Sequence, residues 1–381
     1  MEREVSEEIK TAIGLMSGTS MDGIDVALLK TDGRSIVEMG PSAAFDYTLD
    51  QRKALEAGMQ DAEVMRERHK RPGSLFDLER AVTNWHCEAV EQFLASNQMT
   101  SDDIDIVGFH GQTVLHRPQD GYTVQIGHGD EMAKRLGIDV VYDLRANDMK
   151  AGGQGAPLVP VYHQALALSL ETELPAVFVN IGGISNVSYI GRDTELIAFD
   201  SGPGNALIDQ WMLSEAGIPY DQGGRIASEG VVSQSIVDRY VTTPYFSAKV
   251  PKSLDRFDFP PLETGSLDVA DGARTLAHIS AASIFKATDH FPEKPAVWVI
   301  SGGGRLNVTM MNELRDMIEA AGQQMMFAED LNLNGDMMEA EAFAYLAVRS
   351  LYELPLTFPG TTGCEKPSIG GVVARKNQVL K

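Results

Sequence analysis

Between Gly14 and Leu29 the chain reads GLMSGTSMDGIDVALL, which gathers hydroxyls, glycines and carboxylates into a few residues. Apolar runs at 12–16 and 24–29 flank the polar centre. The pattern is that of a β-hairpin whose tip holds Ser17, Gly18, Thr19, Ser20, Met21, Asp22 and Gly23, with Ile24 and Asp25 starting the return strand. Glycines at both ends of the tip let the backbone approach a bulky anion, and the hydroxyls and N–H groups between them can bond phosphate oxygens. Asp22 and Asp25 would repel a bare phosphate, but they suit a hydrated Mg²⁺ shared between carboxylate and phosphate. An ordinary polar turn is the competing reading. The concentration of all three residue types in one tip argues for phosphate.

Five further places carry candidate chemistry. Asp200 stands at the end of an expected strand over 195–199, before the turn Ser201-Gly202-Pro203-Gly204-Asn205, where a general base would be presented. It could instead cap the helix starting near Asn205, but Asn205 is itself a good cap and leaves the carboxylate free. A strand over 296–300 runs through Ser301-Gly302-Gly303-Gly304 to Asn307 and a helix over 308–320. That unit suits an anion or nucleotide at the helix N-terminus, or simply tight packing of loop on helix. Gln112 and Thr113, after His110-Gly111, offer neutral donors and acceptors for sugar hydroxyls, while His110 could be a satisfied turn histidine. Arg145 follows a strand over 139–142 and could hold a carboxylate bidentately or lie on the surface. Glu339 and Glu341 open a helix over 337–351, where carboxylates are favourable in any case.

The elements that must position these residues alternate between strand-like and helix-like segments, which predicts an α/β architecture. Strands are expected over 43–49, 104–109 and 123–126, and helices over 75–95, 130–136, 158–170 and 268–286. A second glycine-tipped hairpin, over 176–181 and 185–190 with Gly182 and Gly183 at its tip, hints at two related halves. The Gly- and Pro-rich stretch 151–160 reads as a hinge, centred on 151–155. A chain of 381 residues is long enough for two domains. Its net charge of −22 argues against a free-standing nucleic-acid binder. Cys87 and Cys364 are too few and too far apart for a disulfide framework, so a reducing compartment is expected. With no apolar run of membrane-spanning length and no hydrophobic leader, no membrane span and a cytoplasmic location are expected. No histidine–cysteine cluster has metal-ligand spacing, GTSMDG is not a serine-hydrolase elbow, and neither a GxGxxG nor a P-loop pattern occurs.

Taken together and in order, GLMSGTSMDGIDVALL, FHGQTV, DLRANDMKAGGQGAPLVP, VNIGGISNVSYI, FDSGPGNALID and SGGGRLN resemble the anhydro-N-acetylmuramic acid kinase family over about 14–351. The resemblance implies a two-domain actin-like ATPase fold, ribonuclease H-like, with mixed sheets and an interdomain cleft. Domain I would be 1–145, with the tail 355–381 packing back on it, and domain II would be 146–354. It implies ATP and Mg²⁺. Gly18 to Asp25, Gly182, Gly183, Gly302, Gly303 and Asn307 would hold the nucleotide, with Mg²⁺ at Asp22 and Asp25 through water. Asp200 would be the general base, and Gln112, Thr113, Arg145 and Glu339 would line the sugar pocket. The implied reaction opens the 1,6-anhydro ring with water and phosphorylates O6, giving N-acetylmuramic acid 6-phosphate for cell-wall recycling. The expected partner is a small-molecule sugar, with no nucleic acid or membrane, in a homodimer. A kinase for another anhydrosugar such as levoglucosan, or an actin-type ATPase without a sugar, are the alternatives.

Overall fold

The computed structural model describes residues 8–18, 21–254 and 258–377. These form twelve strands: β1 (Lys10–Ser17), β2 (Gly23–Thr31), β3 (Val37–Asp46), β4 (Ile106–Arg117), β5 (Tyr122–Ile126), β6 (Asp139–Tyr142), β7 (Ala176–Ile181), β8 (Ile184–Ile190), β9 (Leu196–Pro203), β10 (Val297–Ser301), β11 (Gln324–Phe327) and β12 (Val372–Ala374). The chain divides into two compact units, one of Met1–Ser169 with Met337–Lys381 and the other of Leu170–Asp336. No helix of the described residues is long and apolar enough to cross a membrane.

Each unit is built on the same strand order. In the first, β3-β2-β1-β4-β6 run side by side, with β12 added antiparallel to β6 and β5 paired with β4. In the second the order is β9-β8-β7-β10-β11. In both, the first three strands form an antiparallel meander and the next two lie parallel to the first strand. The two related halves hinted at by the glycine-tipped hairpins are therefore present as a repeated topology.

In the first unit, Ile13, Leu15, Val26, Val107 and Phe109 share one core with helices Leu49–Ala62 and Leu75–Ser96. The opposite sheet face packs on helix Met338–Leu351, whose approach depends on two glycines. A Cβ on Gly14 would strike the Ala340 carbonyl, and one on Gly108 the Phe343 carbonyl. That approach fixes the helix that carries Glu339 and Glu341. In the second unit, Val177, Val179, Ile181, Trp298 and Ile300 point into one core with helices Ala206–Ala216, Val269–Lys286 and Val308–Ala320.

The partition differs from the one expected from sequence. The first unit continues past 145 to Ser169, and helix Met338–Leu351 belongs to it. The stretch 151–155 is stapled inside that unit and does not join the two. The Asp148 carboxylate accepts the Gly155 N–H at 2.7 Å and the Thr362 hydroxyl at 2.6 Å, and the Gln154 N–H reaches the Thr362 carbonyl at 2.9 Å. The strand expected over 43–49 ends at Asp46, because Thr48 and Gln51 form a capping box that starts helix Leu49–Ala62. Replacing Gly108 by Val should lower unfolding stability by ~2–3 kcal/mol, since neither strand nor helix backbone can retreat. Chemical denaturation measures this, and an unchanged midpoint would argue against the close approach.

Candidate functional site

The hairpin tip between β1 and β2 is held from below by side chains of the first unit. His86 donates Nδ1–H to the Val82 carbonyl at 2.8 Å, so its Nε2 accepts from the Ser17 hydroxyl at 3.1 Å. Burial pushes this imidazole down to about 4 and keeps it neutral. The Gly18 carbonyl accepts the Met21 N–H at 3.2 Å and the Gln112 Nε2–H at 3.1 Å. Met21 itself takes a left-handed φ of 56°. The Asp22 carbonyl accepts the Tyr47 N–H at 2.9 Å, while its carboxylate is exposed, and Asp25 is half-buried on β2 opposite Met16. Ile24 is core. Thr19 and Ser20 lie outside the described residues. Gln112, expected in the sugar pocket, is fully buried beneath the tip, and its Oε1 has no partner.

Arg145 is not a surface residue. Its Nε and one terminal nitrogen donate to His110 Nε2 at 3.1 and 2.9 Å, and the other donates to the Gly155 carbonyl at 2.7 Å. Burial lowers its guanidinium to about 10, against the pull of Glu339 and Asp148. Burial and the Arg145 charge drive His110 well below its usual range, so the ring is neutral and accepts through Nε2. Burial raises Glu339, opposed by Arg145, and raises Glu341, opposed by the Tyr162 hydroxyl that donates to it at 2.8 Å. Beside His110 lies a cavity of about 490 Å³, lined in part by Gly111, Gln125, Gly127, His128 and Tyr142. Thr113 Oγ1 accepts from Gln125 Nε2 at 3.1 Å, and Gln125 Oε1 is buried without a partner. Gln125 was not singled out from the sequence. Its signal is register, because it stands opposite Thr113 in the β4–β5 pair.

In the second unit Asp200 lies within β9, not at its end. Ser185 pairs with Gly202 and Asn186 with Asp200, so β9 carries one extra residue there. Such a bulge re-aims a side chain out of the ladder. Burial pushes the Asp200 carboxyl up to about 6, against the Leu254 N–H that donates to Oδ2 at 2.8 Å. The expected cap at Asn205 does not form. The Gly182 and Gly183 carbonyls accept the N–H groups of Gly204, Asn205 and Ala206 at 2.8–3.1 Å, so the β7–β8 tip itself closes the start of helix Ala206–Ala216. After β10, Gly302 has φ 78° and packs where a Cβ would meet Asn180 and Ile181, whereas nothing crowds Gly303. Arg305 braces this loop through Glu329, Asp336 and the Gly302 carbonyl. Asn307 caps helix Val308–Ala320 by accepting the Met310 N–H at 3.0 Å.

The sequence carries no motif over 245–264, yet residues 245–254 contact Asp200. Tyr245 donates to the Asp200 carbonyl, and the Asp200 N–H reaches the Lys252 carbonyl at 3.0 Å. The Tyr245 hydroxyl comes from the short helix Pro244–Ser247 and the Lys252 contact is made by backbone, so no local residue pattern marks them.

Two units of one strand order, with a glycine-tipped hairpin between the first two strands of each and a buried carboxylate on the third strand of the second, make a repeated α/β architecture, and the family its sequence matches is one of phosphotransferases. Residues 10–376 match the model of the family described as anhydro-N-acetylmuramic acid kinase. The chain is 54% identical over 370 residues to a protein of that name from Agrobacterium fabrum, covering 97% of this chain and 99% of the relative. It is 54% identical over 367 residues to one from Rhizobium johnstonii, covering 96% and 99%. It therefore belongs to the anhydro-N-acetylmuramic acid kinase family and is a sugar kinase that uses ATP. Among solved structures, component A of the Acidaminococcus fermentans (R)-2-hydroxyglutaryl-CoA dehydratase aligns with a TM-score of 0.46 at 11% identity, over 90% of this chain and 99% of that one.

A carboxyl raised on folding favours the folded state below its unfolded value and disfavours it above its folded value. Asp200, lifted to about 6, thus destabilises the protein above that pH. Asp200→Asn should raise unfolding stability at pH 8 by ~1–3 kcal/mol and leave it unchanged near pH 3.5. Thermal melts at the two pH values measure this, and equal shifts at both would remove the buried charge as the cause.

Proposed function

We propose that Asp200 is the base for a hydrolytic phosphorylation of 1,6-anhydro-N-acetylmuramic acid. The supporting observation is a carboxylate moved out of water to about 6, with one of its oxygens bonded to a backbone N–H. Such a group is ionised at neutral pH and basic enough to take a proton from water. As the proton passes to Asp200, the water oxygen bonds the anomeric carbon and the bond from that carbon to O6 breaks. O6 then bonds the γ-phosphorus, and the bond to the ADP oxygen breaks. Ordinary glycosidases need a second carboxylic acid to protonate the departing oxygen. Here the phosphoryl group captures it, so one base suffices. The product is N-acetylmuramic acid 6-phosphate.

In this reading the 18–25 tip takes the triphosphate, with its Gly18 carbonyl drawn back by Gln112 and Met21. Gly302 and Gly303, with Gly182 and Gly183, offer close backbone approach, most freely at Gly303. Asn307 serves through its cap. Among the described residues no group of three His, Cys, Asp or Glu could hold a metal ion. Two carboxylates, Asp22 and Asp25, suit Mg²⁺, which keeps most of its waters and shares phosphate oxygens. That ion would neutralise charge on the phosphates. Arg145 offers the rest of its fork to the lactyl carboxylate. Glu339 and Thr113 contribute to the sugar pocket, and the bare Gln125 Oε1 suits an acetamido N–H. A cytoplasmic homodimer completes the proposal, in keeping with two free cysteines.

Incubation with ATP and the anhydro sugar should give a product heavier by one water and one phosphoryl group, read by mass spectrometry. A product lacking the water would overturn the hydrolytic step. Asp200→Asn should cut turnover roughly 100-fold or more while both ligands still bind by calorimetry. Near-normal turnover would remove the base role. Asp22→Ala should weaken Mg·ATP binding about tenfold, an unchanged affinity counting against metal handling at Asp22.

A further inference from the structure

β9 is the edge strand of its sheet, so on its outer side Asp200 exposes backbone groups that the ladder does not bond. One loop segment takes them all. The Asp200 N–H goes to the Lys252 carbonyl at 3.0 Å, its carbonyl accepts from the Tyr245 hydroxyl, and its carboxylate accepts from the Leu254 N–H at 2.8 Å. The segment is in turn closed on itself by one ammonium. Lys252 Nζ donates to the Tyr245 carbonyl at 2.8 Å and the Phe246 carbonyl at 3.2 Å, and lies 3.0 Å from His290 Nε2. It also sits 4.5 Å from the Tyr245 ring centroid and 5.5 Å from that of Phe199, the residue before Asp200. His290 Nε2 is 2.8 Å from the Phe246 carbonyl as well. One ring nitrogen cannot both donate there and accept from Lys252, and a charged ring would face the ammonium. Burial lowers His290, and Lys252 lowers it further, so the neutral ring is the form beside a charged lysine.

We propose that Lys252 is a positioning residue for Asp200: its ammonium locks 245–254 into the one shape that lays the Leu254 N–H on the carboxylate. This rests on the reading of Asp200 as the base. The hydrogen bond goes to the charged form and so favours it. Losing the lock withdraws that donor, and the carboxyl must rise further. The other titratable groups around the segment are Tyr245, raised by burial and by the charges of Asp200 and Asp258, and Lys286 and Asp289, which act on Lys252 with opposite sign. Burial brings Lys252 itself down to about 8, so the lock is charged at neutral pH and releases above it.

The test is the pH profile of kcat/KM for the anhydro sugar in wild type, Lys252→Met, Lys252→Arg and Lys252→Gln. In wild type the acid limb should fall near pH 6. In Lys252→Met it should move up by roughly one pH unit, with activity down about twofold at pH 7 and about tenfold at pH 5. Lys252→Arg, which keeps a cation that can donate to the same carbonyls, should restore most of both. Lys252→Met with an unmoved limb overturns the proposal, whether its rate is normal or reduced, since a reduced rate alone marks a structural role. Should that variant not fold, Lys252→Gln, which removes the ammonium but keeps an N–H donor, decides in the same way: a limb shifted upward supports the proposal, and an unshifted one overturns it. Asp200→Asn separates the two levels. If it retains turnover the base assignment fails, and if it is dead while the lysine variant keeps its limb, only the role of Lys252 fails.

Discussion

A carboxylate that leaves water while keeping its charge must find donors in the protein, and at Asp200 the fold provides few. Burial of an ionised group is costly, and a single hydrogen bond offsets only part of that cost. The result is a carboxyl lifted to about 6, which is unfavourable for folding at neutral pH and useful for chemistry. Two features make the position tenable. The β9 bulge leaves the next residue, Ser201, out of the ladder, and the 245–254 segment occupies the outward backbone groups of Asp200 that an edge strand would otherwise expose. The same segment thus protects the sheet edge and sets the environment of the base.

The first unit meets a related constraint differently. Its charged groups are buried in opposition: Arg145 with Glu339 nearby, the Tyr162 hydroxyl on Glu341, and a histidine kept neutral so that it can accept from the guanidinium. What brings them together is a helix lying against bare glycines of β1 and β4. Removal of side chains at Gly14 and Gly108 is therefore a condition for the polar arrangement above them, although neither glycine touches it. A chain with a net charge of −22 needs such local cations to receive an anionic sugar and a nucleotide.

How far the sequence discloses this depends on the kind of interaction. Both hairpins, the β10 loop with its following helix, and helix Leu75–Ser96 are legible because apolar period and glycine punctuation are local signals. The Lys252 lock is not, since it acts through carbonyls and a histidine distant in sequence, and carbonyls carry no residue identity. The capping role of Asn205 failed for a similar reason. Whether its side chain is needed depends on what approaches the helix start, and the Gly182 and Gly183 carbonyls arrive first. The hinge at 151–155 looked flexible in composition, but Asp148 and Thr362, more than two hundred residues apart, fix it. Gln112 and Thr113 were found as polar residues after a strand, whereas what each one bonds, Gly18 and Gln125, followed only from register.

The repeated strand order sharpens what distinguishes the two units. Each has a glycine-tipped hairpin at the same place in its own sheet, yet the tips do different work. In the second unit the tip carbonyls close the helix after β9, which fixes them in place, and the Gly182 N–H is donated to the Ile184 carbonyl at 3.1 Å. In the first, helix Leu49–Ala62 follows the third strand but is closed by its own Thr48–Gln51 capping box, and the Gly18 carbonyl is drawn down by the Gln112 side chain and the Met21 N–H. The Gly18 carbonyl is thus occupied from within the unit, and the acidic side chain of Asp22 is left exposed. Equal topology therefore does not divide the chemistry; the division is made by which neighbour takes the carbonyls of an otherwise similar turn.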